Sequence, residues 1–264
     1  MGIWSAAYRA QWPFLSKIIS LHSFRGGTGK SNITSNLAYL LFEEKKRVAI
    51  IDGDIESPGI HVLFGIDQAE LKHTLNDYLW KQCSIKEAAL DVTPKLSPKA
   101  EGKLFMIPSS LSSVDITKIL REGYDIERLI EGYHQIIEGL RLDYLLLDTH
   151  PGVNKETLLS ISISDVLCVV MRPDSQDYQG TAITVELAKK LEVPSLYVIV
   201  NKVMASMDAN AIQLEVERAY ETPVAAVLPF SEEMMMLASS GLFSSLYPND
   251  RFTQILRSLL TKIS

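Results

Sequence analysis

The chain has 264 residues, 47% apolar and 22% charged, with a formal net charge of −6. That length suits one large α/β domain and is too short for two unless both are small. The acidic balance excludes a surface broadly coated for nucleic acid, and no apolar run approaches the roughly 18–20 residues that span a bilayer.

Residues 1–16 read as an N-terminal extension ahead of a domain over 17–264. They place Trp4, Tyr8 and Trp12 on one face of a helix, if helical. Such a stripe is expected to pack on its own domain, with a membrane interface or a partner as the alternative. Only Arg9 is charged there and the apolar run is broken, so the segment is not read as a signal peptide.

Lys17–His22 is apolar and β-prone, and Ile33, Leu37, Leu40 and Leu41 recur at helical spacing after it. Between them runs Ser23-Phe24-Arg25-Gly26-Gly27-Thr28-Gly29-Lys30-Ser31-Asn32. Strand, glycine-rich loop and helix together predict a phosphate-binding loop. Gly26, Gly27 and Gly29 let the backbone approach phosphate oxygens closely. The helix N-terminus offers unpaired N–H groups, Lys30 a charge for the outer phosphates, and Ser31 a hydroxyl for Mg²⁺.

Arg47–Ile51 reads as a buried strand ending in Asp52-Gly53-Asp54. Residues 71–92 are expected to be helical with a break near Cys83, and 93–102 to be a polar connection. Residues 103–108 read as a short strand, 113–140 as two helical stretches and 143–148 as a strand closing on Asp148. Strands are expected over 165–171, 195–200 and 224–228, with helices over 176–191 and 250–263. The alternation predicts a single α/β domain, a mainly parallel sheet with helices on both faces.

Ligands of such sheets sit beyond the strands' carboxyl ends, where Asp52, Asp54 and Asp148 all fall. A carboxylate ending an apolar strand is costly to bury unpaired, and an ion to bind resolves the cost. Cys83 and Cys168 have no metal-ligand spacing and read as reduced, buried thiols of a cytoplasmic protein. Met234-Met235-Met236 reads as adaptable core on a helix.

Counted back from Gly29, the first position of G-x-x-x-x-G-K-[ST] is Phe24, so the ordinary pattern fails there. What stands instead, basic-Gly-Gly-x-Gly-Lys-Ser over Arg25–Ser31, resembles the deviant loop of the MinD/ParA family of ATPases. The resemblance implies a P-loop NTPase that binds ATP with Mg²⁺ through Gly26, Gly27, Thr28, Gly29, Lys30, Ser31 and Asn32. It implies an ATP-dependent homodimer, in which a signature lysine touches the phosphates held by the other subunit. Arg25 stands at that position, and Lys155 is a rival for the role.

Asp148, in Leu-Leu-Leu-Asp-Thr-His-Pro-Gly, resembles the aspartate that orients Mg²⁺, with Ser31 and Asp52 near the metal. The resemblance implies that Asp54 positions the attacking water, which makes Lys30, Asp54 and Arg25 the expected catalytic set. His150 replaces the family's usual proline and reads as a solvent-facing turn residue. Asn201-Lys202 and Pro229 resemble the segments that contact the adenine. The family's job is spatial, which implies a protein partner or cargo adaptor and a cytoplasmic protein, peripheral on membrane or nucleoid. MinD proteins end in a basic amphipathic tail, which is expected to be missing here. The alternative is a scaffold of the same fold that binds nucleotide without hydrolysing it.

Overall fold

The structure, a computed structural model, describes residues 16–264. The expected extension, with Trp4, Tyr8 and Trp12, therefore lies outside the described residues except for Ser16. Strand β1 (Lys17–His22) runs through the glycine loop into helix α1 (Lys30–Glu43), then β2 (Arg47–Gly53). After it come β3 (Leu90–Asp91), β4 (Lys103–Ile107), α2 (Ser113–Glu122), α3 (Ile126–Leu140) and β5 (Tyr144–Thr149). The second half alternates regularly: α4 (Lys155–Ile163), β6 (Val166–Met171), α5 (Ser175–Lys190), β7 (Ser195–Val203), α6 (Ala209–Tyr220) and β8 (Val224–Pro229). Short α7 (Glu232–Leu237) and the closing helix α8 (Arg251–Ile263) follow.

The strands form one eight-stranded sheet in the order β3-β4-β2-β5-β1-β6-β7-β8, parallel except for β3 at one edge. Both faces are covered, which is why the central strands are mainly apolar instead of alternating with polar residues. Ile19, Leu21, Val48 and Ile50 pack on the face covered by α1 and α8. Their neighbours Ile18, Ala49 and Ile51 point the other way, toward α3 and α4. Leu167, Val169, Val198 and Val200 meet α5 and α6. Each such Val, Leu or Ile side chain, fully buried, contributes about 1.5–3 kcal/mol, most of it offset by the entropy of ordering the chain.

Helices α1 and α4 leave the adjacent strands β1 and β5 toward opposite faces of the sheet. That divergence opens a crevice at the strands' carboxyl ends, where an open α/β sheet binds its ligand.

Residues 71–92 differ from the expected broken helix. Thr74 and Ser84 each open a separate one-turn helix, 75–79 and 85–88, with capping boxes closed by Asp77 and Glu87. Lys81 between them takes a left-handed φ of 64°, which no continuous helix tolerates. Leu90–Asp91 then turns back along β4. The connection over 93–102 also holds a helical turn, Thr93–Leu96, with Pro94 in its first turn.

Helices α4 and α6 have no counterpart in the sequence reading. Helix α6 buries only Val216 and Tyr220, one turn apart, too few to print a period. Asn201 and Lys202 lie inside β7 instead of after it. The methionines are a further correction: Met235 and Met236 are exposed, and only Met234 packs against the core. Both cysteines are free, Cys168 buried as expected and Cys83 only half-buried.

Candidate functional site

The carboxyl ends of β1, β2 and β5 lie together because Leu21 and Asp52 both pair in register with Asp148. The glycine loop folds over them and encloses a cleft of ≈ 180 Å³. Gly26, Gly27, Thr28, Gly29, Lys30, Ser31 and Asn32 all line it, joined by Ser23, Asp54 and Pro151. Gly27 and Gly29 take φ of 77° and 92°, the left-handed region where other residues are strained.

Gly29 is required twice over. A Cβ there would stand 2.4 Å from Asn201 Nδ2, which donates to the Thr28 carbonyl at 2.7 Å. Lys202 Nζ donates to the Gly27 carbonyl at 2.8 Å. Asn201, expected at the adenine, therefore grips the loop together with Lys202, and is 4% exposed. Pro229 pairs in register with Val203 at the same rim, outside the lining of the cleft.

Lys30 Nζ lies 2.9 Å from Asp148 Oδ1, and both side chains are buried. Thr34, one turn along α1, sets its hydroxyl 2.9 Å from the Lys30 carbonyl and 3.3 Å from Asp148 Oδ1. Asp148 Oδ2 and Thr28 Oγ1 are buried with no hydrogen-bond partner among the described residues. A buried unpaired oxygen is costly, and a bound cation with its water shell removes the cost. The donor set of Ser31 hydroxyl with Asp52 and Asp148 carboxylates is all oxygen, which suits hard Mg²⁺. The unpartnered Asp148 oxygen fits such an ion.

Asp52 also has a structural task. Its Oδ2 accepts the Gly59 and Ile60 N–H groups at 3.0 and 3.1 Å, closing the loop after β2. Burial, reinforced by the neighbouring Asp148, pushes its carboxyl up to about 7 against those hydrogen bonds.

Asp54 faces the cleft while its Oδ1 is held by His150 Nδ1 at 2.7 Å and the Ser57 N–H at 3.1 Å. His150 is thus not a solvent-facing turn residue: its side chain is 23% exposed, and Nε2 lies 3.7 Å from Glu56 Oε2. Burial works to raise the Asp54 pKa, but the His150 hydrogen bond and Lys30 outweigh it and hold the carboxyl below its ordinary range. The same hydrogen bond raises the His150 imidazole.

Arg25 does not line the cleft. Its guanidinium lies 3.6 Å from Asp177 and 3.8 Å from Asp174, at the start of α5. Arg172 holds Asp177 as well, through Nε at 2.9 Å and Nη2 at 3.0 Å. Phe24 packs over Gly180, where a Cβ would fall 2.1 Å from its ring. Lys155, the rival cation, is exposed at the start of α4.

His22 was missed from the sequence. The Thr149 hydroxyl donates to the Leu21 carbonyl, so His22 must donate its Nδ1–H to Thr149 Oγ1, at 2.7 Å. Burial, then Lys30, pushes the imidazole down to about 3 and keeps it neutral. A histidine ending an apolar strand beside a glycine loop was a legible signal. The acidic pair Asp174 and Asp177 carried none, because it meets Arg25 only through the fold.

A family model described as ParA, the NUBPL iron-transfer P-loop NTPase, matches residues 15–263. The chain belongs to the ParA family. This ParA-family chain is 28% identical over 246 residues to an uncharacterised ATP-binding protein of Methanocaldococcus jannaschii, covering 93% of itself and 86% of that protein. It is 24% identical over 250 residues to the flagellum site-determining protein YlxH of Helicobacter pylori, covering 90% and 79%. The septum site-determining protein MinD of Pyrococcus horikoshii, complexed with Mg-ADP, superposes with a TM-score of 0.75 at 20% identity, covering 94% of this chain and 96% of that one. At that identity the likeness shows the fold alone: a MinD/ParA-type P-loop NTPase.

Proposed function

We propose that this ParA-family protein is a slow ATPase whose ATP-bound form is a homodimer and whose hydrolysis switches its hold on a partner. One observation carries the reading. Lys30, Ser31 and Asp54 line a single cleft, and Lys30 is ion-paired to a buried Asp148 whose second oxygen has no hydrogen-bond partner among the described residues.

The N–H groups of Gly26–Asn32 would hold the phosphates, and Lys30 would exchange Asp148 for the outer ones. Ser31, Asp52 and Asp148 would hold Mg²⁺, which neutralises charge between the phosphates when bound. Asp54 keeps one oxygen tethered and offers the other to a water. That water's oxygen bonds to the γ-phosphorus as the bond to the β-bridging oxygen breaks; one of its protons stays on the phosphate and the other is released to solvent, giving ADP and hydrogen phosphate. Arg25 would leave Asp174 and Asp177 to reach the phosphates of the second subunit, with Lys155 as the rival cation. Asn201 and Pro229 would border the base.

The spatial role is supported by similarity to a flagellum site-determining protein. A protein partner or cargo adaptor is proposed, with DNA or membrane as the surface and the cytoplasm as the compartment. Among the described residues no helix is long and apolar enough to cross a membrane. Cluster transfer, the task named in the family model, is disfavoured by this chain's cysteines. Cys168 is fully buried, its thiol pushed by burial up to about 12, and Cys83 is not paired with it.

The test is ATP turnover and ATP affinity of the wild type and Asp54→Ala. Turnover lost in the variant with affinity kept supports the switch. Tight binding by both with turnover by neither establishes the non-hydrolysing scaffold instead.

A further inference from the structure

We propose that His150 is a positioning residue for hydrolysis: its Nδ1–H fixes one oxygen of Asp54 so that the other faces the cleft. The proposal rests on the ATPase reading above and assigns a role to the residue that departs from the family's usual proline.

Three observations carry it. Asp54 Oδ1 is already saturated by His150 Nδ1 at 2.7 Å and the Ser57 N–H at 3.1 Å. Asp54 nevertheless lines the same cleft as Lys30 and Ser31, which leaves Oδ2 as the oxygen to meet a water there. His150 is itself held at two points, one on its backbone and one on its ring. Thr157 Oγ1 lies 3.4 Å from the His150 carbonyl and anchors its loop to α4, while Glu56 Oε2 lies 3.7 Å from Nε2.

The result is a carboxylate–imidazole–carboxylate array in which the ring bridges the loop after β2 to the loop after β5. A carboxylate with two rotatable bonds to its backbone would otherwise sample orientations that aim both oxygens away from the phosphates. Holding it in one orientation removes that loss, and misplacing a reacting group by about 1 Å costs up to about 10²-fold in rate. A carboxylate accepts only, so the Nδ1 atom must carry the proton.

Asparagine and glutamine separate this role from a mere loop staple. The Asn Nδ2–H stands where the ring Nδ1–H does, whereas the Gln amide stands where Nε2 does. We expect His150→Ala and His150→Gln to lower kcat roughly 10- to 100-fold with KM for ATP and the melting temperature unchanged. His150→Asn should restore most of kcat. Independently of activity, ¹⁵N NMR of the labelled, nucleotide-free protein should show a proton on His150 Nδ1.

A wild-type kcat in His150→Ala overturns the role. So does an Asn variant as slow as the Ala variant, a fall in melting temperature that tracks the loss of rate in all three, or a bare Nδ1. A wild type that binds ATP with Mg²⁺ and never releases phosphate is a different failure: it removes the ATPase reading itself, and this role with it.

Discussion

The Lys30 ammonium is paired at 2.9 Å with Asp148, each side chain more than nine-tenths buried. The lysine proposed to bind phosphate thus neutralises the carboxylate proposed to hold the metal. Removing one partner of a buried pair strands a charge, at a cost of about 3–5 kcal/mol, whereas removing both is often close to neutral. Lys30→Met should therefore lower urea stability by about that amount without nucleotide. The double variant Lys30→Met/Asp148→Leu should recover most of it. Additive losses would show that the pair is not what holds the loop.

Asn201 supports the glycine loop through the Thr28 carbonyl. Asn201→Ala leaves the buried Thr28 carbonyl without its donor, and should cost about 1–3 kcal/mol in the nucleotide-free protein. A residue that served only the base would leave that stability unchanged. Gly29→Ala should remove ATP binding, since the new methyl group meets Asn201 and the left-handed φ adds about 1–2 kcal/mol of strain.

Asp52 sets a pH dependence with a definite sign. Its carboxyl titrates near 7 in the folded chain, mainly through burial, against an ordinary value of 3.8. Between those values the folded chain keeps a proton that the unfolded chain has lost. Its contribution is therefore greatest below about pH 4, falls by up to about 1.4 kcal/mol per unit as pH rises, and is lost above about pH 7. Unfolding measured in chelator from pH 4 to 8 should show this fall in the wild type and a flatter curve in Asp52→Asn.

Arg25 is half exposed, and its contacts with Asp174 and Asp177 are long. Such a pair contributes about 0–1 kcal/mol, so Arg25→Ala should unfold like the wild type. It should instead weaken ATP-dependent association in sedimentation velocity while leaving the monomer's ATP affinity intact. Weakened association in Lys155→Ala, with Arg25→Ala unaffected, would move the trans contact to Lys155.

Much of this was legible in the residues. Apolar runs marked the central strands because both sheet faces are buried, and Gly29-Lys30-Ser31 marked the loop because few residues tolerate its backbone. Asp52, Asp54 and Asp148 stood out as carboxylates ending apolar strands. The region over 71–92 was misread because apolar spacing alone does not show that Thr74 and Ser84 restart the chain with their own caps.

Local chemistry, then, determined the strand–loop–helix unit, the parallel α/β class and the identity of the acidic strand ends, since each depends on neighbours in the chain. Only the tertiary structure decided that Asn201 grips Thr28, that Arg25 meets Asp177, and that His150 holds Asp54 across 96 residues of sequence. Those contacts join loops from different strands, and sheet order, which no local pattern encodes, is what brings such loops within hydrogen-bonding distance.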